Sequence, residues 1–235
     1  MGKSAEGAKM ASLLRGTKAA MVIKDGPVVI RMKYVGSGTV TSVTNDISTD
    51  LELITSDGGI DTYAYATYAT VGALVDAVNG DGIFEARILD GLRSDATDDM
   101  FVDGAMTVTS AGYYDLLQDT SASFSLAYRC AYDRNVKSNI PAGNHRVSLQ
   151  DFTYYATLGN AAINDVQVWE YNPSDNTETQ VYQALSVSAA ATDVTFASGY
   201  GEITAGYGNE LIVVLVDDTS LSDTSAFLQV RYDRE

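Results

Sequence analysis

Residues 63–89 have the sequence YAYATYATVGALVDAVNGDGIFEARIL, in which a helical pattern is followed by a strand pattern. Four apolar residues recur at the spacing of one face of an α-helix: Val71, Leu74, Val75 and Val78. This spacing predicts an amphipathic helix. The alternation that follows predicts a strand, so we expect the unit to be a short helix lying on a sheet.

Capping chemistry predicts where this helix begins and ends. Thr70 is placed so that its hydroxyl can accept one of the backbone N–H groups left free at a helix start. Gly80, which follows Asn79, can adopt the left-handed conformation that helix ends favour. In the strand that follows, Phe84 and Ile88 are predicted to face the core, and Ala86 lies on the same face.

The composition favours a mainly β protein. The chain has 235 residues, enough for one large or two ordinary domains, and 46% of them are hydrophobic, which allows a substantial core. Short runs rich in Thr, Val and Tyr alternate with turns rich in Gly, Asp and Asn, as is typical of all-β architectures. We therefore expect β structure to dominate.

Three segments are predicted. Residues 1–25 form a basic N-terminal arm, residues 26–118 form an α+β domain with one main helix on a sheet, and residues 119–235 form a β-sandwich or jelly-roll-like domain. In the last segment, the continuously apolar run 211–216 predicts a central strand covered on both faces. A change of alternation between Leu149 and Phe152 predicts a β-bulge.

Few residues suit redox, metal or nucleophilic chemistry. The single Cys130 excludes an internal disulfide, and we interpret it as a small core residue. The single His145 has Ser148 and Asp151 nearby, but these positions do not share a strand face, and no nucleophile elbow is present. Paired carboxylates of the glycosidase kind stay open because acids are abundant. We predict a protein that is not an enzyme and has no cofactor.

The charge is unevenly distributed. The chain has a net charge of −16, yet residues 1–24 contain five cations and one acid, so they carry +4 and the remainder carries −20. An acidic body argues against nucleic acid as a partner, whereas a basic arm suits an acidic neighbour, such as another copy of the chain. The alternative is a solvated tail. The predicted partner-binding residues of the arm are Lys3, Lys9, Leu13, Leu14, Arg15, Lys18, Met21 and Lys24.

Two acidic clusters and two Gly-Tyr-Gly sequences complete the candidate sites. We interpret the acidic clusters as solvated loops, with Ca²⁺ sites as the alternative because oxygen ligands suit that ion. Their residues are Asp95, Asp98, Asp99 and Asp103 in one cluster and Asp217, Asp218 and Asp223 in the other. Tyr200 and Tyr207 are predicted to lie at loop tips and to contact a partner, since tyrosine offers a large contact area at a small entropic cost.

Membrane association is not predicted. No apolar run approaches the roughly 20 residues needed to cross a bilayer. Arg15 and Lys18 interrupt the only apolar stretch near the start, so a secretory signal is not expected. We therefore expect the chain to be made in a cytoplasm, as a free protein or as part of an assembly there.

Residues 67–97 resemble a segment of virion structural proteins of tailed bacteriophages, in which a helix of this type precedes a strand of this type. The residues that match are Thr70, Val71, Leu74, Val75, Asn79, Phe84, Ala86 and those of 90–95. The resemblance implies a structural subunit that acts by assembly, located in the virion after synthesis in the host cytoplasm. Decoration and cement proteins, tail components and head fibres share this acidic, Gly-, Thr- and Tyr-rich character.

The resemblance also implies the partners: other virion proteins, either the major capsid protein or neighbouring copies of this chain in a homo-oligomer. The alternative that the residues leave open is a receptor- or glycan-binding module of a fibre, tail or cell-surface protein. The marker of that alternative would be exposed aromatic side chains around Tyr171, Tyr200 and Tyr207.

Overall fold

The computed structural model describes most of the chain. Its described residues are 17–22, 28–98, 100–108, 112–119, 124–130, 147–156, 163–187, 191–194, 203–217 and 226–234. These residues fall into two compact units, one within Asp25–Ala127 and the other within Met1–Lys24 together with Tyr128–Glu235. Antiparallel strands dominate both units, so the predicted mainly β class is confirmed.

The unit within Asp25–Ala127 contains two antiparallel sheets and a helix. One sheet has the order β6-β2-β8 and the other β5-β4-β3-β7. The elements are β2 (Val28–Tyr34), β3 (Val40–Asp46), β4 (Asp50–Thr55), β5 (Gly59–Ala64), α1 (Val71–Asp81), β6 (Phe84–Ile88), β7 (Gly104–Ala105) and β8 (Tyr113–Leu117). Side chains from both sheets and from α1 pack in one hydrophobic cluster.

Helix α1 buries the face that its sequence predicts. Val71, Leu74, Val75 and Val78 are all buried in the cluster, while β6 contributes Phe84. Burying a side chain of this size contributes roughly 1.5–3 kcal/mol relative to leaving it exposed. The apolar face therefore holds the helix on the sheet, as the opening stretch predicts.

All four backbone N–H groups at the start of α1 have acceptors. The Thr70 hydroxyl accepts the N–H of Ala73 at 3.2 Å, and its carbonyl accepts that of Leu74 at 2.9 Å. The carbonyls of Asp95 and Arg93 accept the N–H groups of Val71 and Gly72, each at 2.9 Å. The predicted N-cap is thus confirmed, and the segment after β6 completes the cap.

The helix ends two residues later than the sequence predicts. Gly80 lies within α1, and Gly82 is the C-cap, with φ 73° and its N–H donated to the Asn79 carbonyl at 3.3 Å. The prediction that Gly80 terminates the helix is therefore wrong. The left-handed position falls where the chain must turn into β6, which local sequence does not specify because both glycines can adopt it.

Strand β2 shows how a bulge interrupts the alternation of buried and exposed residues. Ile30 and Met32 are buried and Arg31 is half-buried, as alternation predicts. The register with β8 shifts between Val28 and Ile30, however, and the residue between them, Val29, is also buried. Two consecutive residues thus face the core at the bulge.

The second unit contains two further antiparallel sheets. One has the order β1-β16-β10-β13, with β14 also paired to β10, and the other has the order β12-β11-β15-β9. The strands are β1 (Thr17–Val22), β9 (Phe124–Cys130), β10 (Val147–Ala156), β11 (Ile163–Asn172), β12 (Thr177–Val187), β13 (Ala191–Val194), β14 (Ile203–Thr204), β15 (Glu210–Asp217) and β16 (Ala226–Arg234).

Three features predicted for this half are confirmed. Leu211–Val214 of β15 are all buried, and β15 lies between β11 and β9, so it is a central strand covered on both faces. In β10 the register with β16 shifts between Leu149 and Asp151, which is the predicted bulge. The buried Cys130, at the end of β9, occupies the core position expected for it.

Part of the predicted arm is a strand. Residues 17–22 form β1, which pairs antiparallel with β16 over six register positions. The last part of the predicted arm thus completes a sheet whose other strands come from the C-terminal half. The division between the compact units falls at Ala127, within β9, whereas the sequence places a boundary at residue 118.

Candidate functional site

The turn between β14 and β15 holds Tyr207 outward. The carboxylate Oε1 of Glu170 accepts the Gly206 N–H and the Asn209 side-chain N–H, each at 2.7 Å. The Asn209 N–H closes the turn on the Gly206 carbonyl at 3.1 Å, and Gly208 has φ 80°. A left-handed third residue is what a type II turn requires. Tyr207 is 65% exposed at the tip, as the sequence predicts.

The hairpin between β11 and β12 is held by its own side chains. Oδ1 of Asn172 accepts the N–H of Ser174 at 3.0 Å and its hydroxyl at 2.8 Å. Oδ1 of Asp175 accepts the Thr177 hydroxyl at 2.7 Å and its N–H at 3.0 Å. These hydrogen bonds lower the pKa of Asp175, and the one from the Thr177 hydroxyl has the largest effect. The exposed tip is thus preorganised by turn-forming residues.

Tyr171 connects the hairpin to the interior. Its hydroxyl donates to Oδ1 of Asn176 at 2.7 Å, while its ring lies 4.6 Å from the guanidinium of Arg129. Arg129 in turn forms an ion pair with Glu210, with 2.9 Å between Nη1 and Oε2, and Glu210 is the register partner of Tyr171. Three adjacent strands are therefore joined in one cross-strand row.

Glu170 and Tyr171 are consecutive, so the turn carrying Tyr207 and the hairpin 172–176 are anchored at the same end of β11. We call Tyr171, Tyr207 and residues 172–176 the tyrosine surface. It combines the exposed ring of Tyr207 and the half-buried ring of Tyr171 with amides, hydroxyls and carboxylates on fixed turns. Such a composition suits recognition through stacking and hydrogen bonding. Tyr200, the other tyrosine predicted here, lies outside the described residues.

The sequence did not predict the residues that build this surface. Arg129, Glu170, Asn209 and Glu210 lie far apart in the sequence, and only the pairing of β9, β11 and β15 brings them together. An isolated arginine and glutamate carry no local signal of a buried pair. The continuously apolar β15 could have suggested that Glu210, at its edge, would need a partner when buried.

The predicted basic arm is only partly described. Lys18 and Met21 lie on β1, opposite Arg231 and Leu228 of β16. The other predicted arm residues lie outside the described residues: Lys3, Lys9, Leu13, Leu14, Arg15 and Lys24. What the structure adds is the place where this segment meets the sheet, which is the edge of β16 opposite β10.

Asp95 of the first acidic cluster holds the segment that follows β6. Oδ2 of Asp95 accepts the Leu92 N–H at 2.7 Å, and Arg93 pairs with Asp76 of α1 at 2.5 Å. Asp98 and Asp103 are exposed. Among the described residues, no group of three or more His, Cys, Asp or Glu side chains is placed to hold a metal ion.

Four calcium candidates remain from the two clusters. Asp99, Asp218 and Asp223 lie outside the described residues, and Asp217 ends β15.

Comparison with known proteins adds no relative. No family model matches the chain, and no curated protein matches its sequence. In the part of the chain that the structure describes, α1 is too short to span a membrane, and no helix there has the length and apolarity to do so.

Proposed function

We propose that the chain is a non-enzymatic structural subunit of a virus particle, a decoration or cement protein of a tailed bacteriophage that docks on neighbouring subunits. The observation that supports this most directly is the position of β1. The residues that precede it contain three of the five cations of the segment, and β1 joins them to the edge of a sheet in an otherwise acidic chain. The resemblance of residues 67–97 to virion proteins points the same way.

In this proposal the two sheets of the second unit pack as a β-sandwich of jelly-roll type that projects from the shell or links adjacent copies. Buried residues on both faces of β15 support a layered arrangement. The partners are the major capsid protein or further copies of this chain, and the location is the virion.

The decisive experiment is to add the purified protein to phage heads that lack it and to measure occupancy by particle imaging and mass spectrometry. A variant lacking residues 2–16 retains β1, so it tests the charged segment without removing a strand. We expect this variant to fold and to lose incorporation. A variant with residues 2–16 in scrambled order keeps the charge and is the matched control.

Full occupancy by the variant lacking residues 2–16, unchanged between low and high salt, would contradict docking by the basic segment. Salt matters because exposed charges separated by more than about 8–10 Å are screened near physiological ionic strength. If neither the unaltered protein nor the variant occupies phage heads under any condition, the proposed function itself is contradicted.

A second candidate function follows from the tyrosine surface. Two exposed turns with Tyr171 and Tyr207 at one end of a sheet favour a receptor- or glycan-binding module. Binding to host cells or to a glycan array tests it. Tyr207→Ala should abolish binding, whereas Tyr113→Ala, at an exposed tyrosine of the other unit, should leave it unchanged.

A further inference from the structure

Strand β1 is an edge strand of its sheet. It lies at the end of the order β1-β16-β10-β13, and among the described residues its strand partner is β16. Along the chain, the next strand after β1 is β2, which belongs to the other compact unit. No hairpin therefore ties β1 to the sheet that it completes.

The sequence of β1 favours a weak edge strand. Ala19 and Ala20 lie at its centre, and alanine is depleted in strands. Lys18 is the register partner of Arg231, whose partner on the other side is Asp151 of β10. The backbone ladder of this pairing is the same whichever copy of the chain supplies the strand.

If β1 leaves, β16 presents an unpaired edge of six register positions, Phe227–Tyr232. Such an edge is a template for another strand. The segment 1–24 carries +4 and the rest of each copy −20, so a strand from a neighbour brings opposite charge to the body that it joins. Exchange of an identical element is a low-cost route to association.

We propose that β1 is exchanged between copies, so that the β16 edge of one chain binds the β1 strand of the next. This inference rests on the proposed function, because it names the partner in the assembly as a second copy of this chain. The six steps from Val22 to Val28 span at most about 20 Å. A copy can thus receive β1 only from a neighbour whose β2 begins within that distance.

Disulfide trapping between differently tagged chains tests the exchange. One chain carries Ala19→Cys and the other Val230→Cys, which are register partners, and both carry Cys130→Ala to remove the native thiol. Opposed Cα atoms of an antiparallel pair lie within the range that a disulfide bridges. After assembly and oxidation, we expect covalent dimers that contain both tags.

The matched control replaces Ala19→Cys by Thr62→Cys, at an exposed position of β5. We expect the register pair to yield at least about tenfold more mixed dimer, since a paired strand has an effective concentration far above that of free chains. Two results together would overturn the exchange. The mixed-dimer yield would equal that of the control, and a chain that carries both cysteines would form only intramolecular disulfides.

A directional variant guards against loss of folding. The double substitution Ala19→Pro and Ala20→Pro removes both backbone N–H groups. One of these two groups points toward β16, so β1 can no longer pair with it. This chain, with Val230→Cys, should still accept β1 from an Ala19→Cys chain. Failure to accept it while circular dichroism shows an intact fold would count against the exchange.

The outcomes separate the two proposals. Disulfides confined within chains that nevertheless occupy phage heads would contradict exchange and leave the proposed function standing. Mixed dimers of purified protein that never occupies heads would support exchange and contradict the proposed function.

Discussion

The side-chain amide of Asn79 takes the place of a neighbouring strand at the outer edge of β6. Its Oδ1 accepts the Ala86 N–H at 2.7 Å, and its Nδ2 donates to the Ala86 carbonyl at 3.0 Å. Because β6 ends the order β6-β2-β8, these two backbone groups face away from β2. The last turn of α1 therefore satisfies a sheet edge as well as packing on it.

Asn79→Ala should lower the free energy of unfolding by about 1–2 kcal/mol, because it removes two hydrogen bonds of ordinary strength. Urea denaturation followed by circular dichroism would measure this loss. Glu85→Ala is the control, since Glu85 is the exposed neighbour of Ala86 on the same strand. Equal effects of the two substitutions would mean that the amide contributes nothing specific.

Gly80 and Gly82 form a matched pair of substitutions. A Cβ added at either glycine meets no atom within 4 Å, but Gly82 has φ 73° and Gly80 lies inside α1. Gly80→Ala should stabilise the unit by about 0.5–1 kcal/mol, because helical glycine is entropically costly. Gly82→Ala should destabilise it by about 1–2 kcal/mol, the cost of a left-handed L-residue. Thermal unfolding of both variants would show shifts of opposite sign, and shifts of the same sign would contradict the assigned C-cap.

The ion pair of Arg129 and Glu210 is 3% and 7% exposed at the residue level. Arg129→Met or Glu210→Leu alone should cost about 3–5 kcal/mol, because each leaves a buried charge without its partner. The double substitution should cost less than either single one. Urea denaturation of all three variants would complete the cycle.

The pair Arg31–Asp115 is the control for this cycle, since its side chains are 30% and 29% exposed. Arg31→Met should cost only about 0.2–1 kcal/mol, as expected for a solvated pair. If the Arg129 and Arg31 substitutions cost the same, burial does not set the strength of the inner pair.

Asp57 should make stability depend on pH. Its carboxylate accepts the Tyr34 hydroxyl at 2.7 Å and the N–H groups of Gly38 at 2.9 Å and Ser37 at 2.8 Å. These hydrogen bonds, led by that of Tyr34, hold the pKa of Asp57 well below its ordinary value of 3.8. A lowered folded-state pKa stabilises the protein above the unfolded-state value, and this stability is lost as the pH falls toward the folded-state value.

The Asp57→Asn variant should therefore be less stable than the parent protein at pH 7, and the difference should shrink below pH 3.8. Tyr34→Phe should reduce the pH dependence, because it removes the largest cause of the pKa shift. Urea midpoints measured from pH 7 downward would reveal both effects. A difference that stays constant across this range would contradict the role of the Asp57 carboxylate.

Local sequence determined the elements whose signals are periodic or short-range. The apolar face of α1, its Thr70 cap, the buried β15 and the bulge after Leu149 all depend on residues within a few positions of one another. Side-chain direction repeats every 3.6 residues in a helix and every two in a strand, so the pattern of apolar residues specifies which face is buried.

Only the tertiary structure decided which distant segments meet. The pairing of β1 with β16, the hold of Glu170 on the Tyr207 turn, and the Arg129–Glu210 pair each join segments widely separated in the sequence. Many strands of similar composition could form such pairs, so local preference does not choose among them. The choice depends on burying the most apolar surface while leaving the fewest polar groups unpaired across the whole chain.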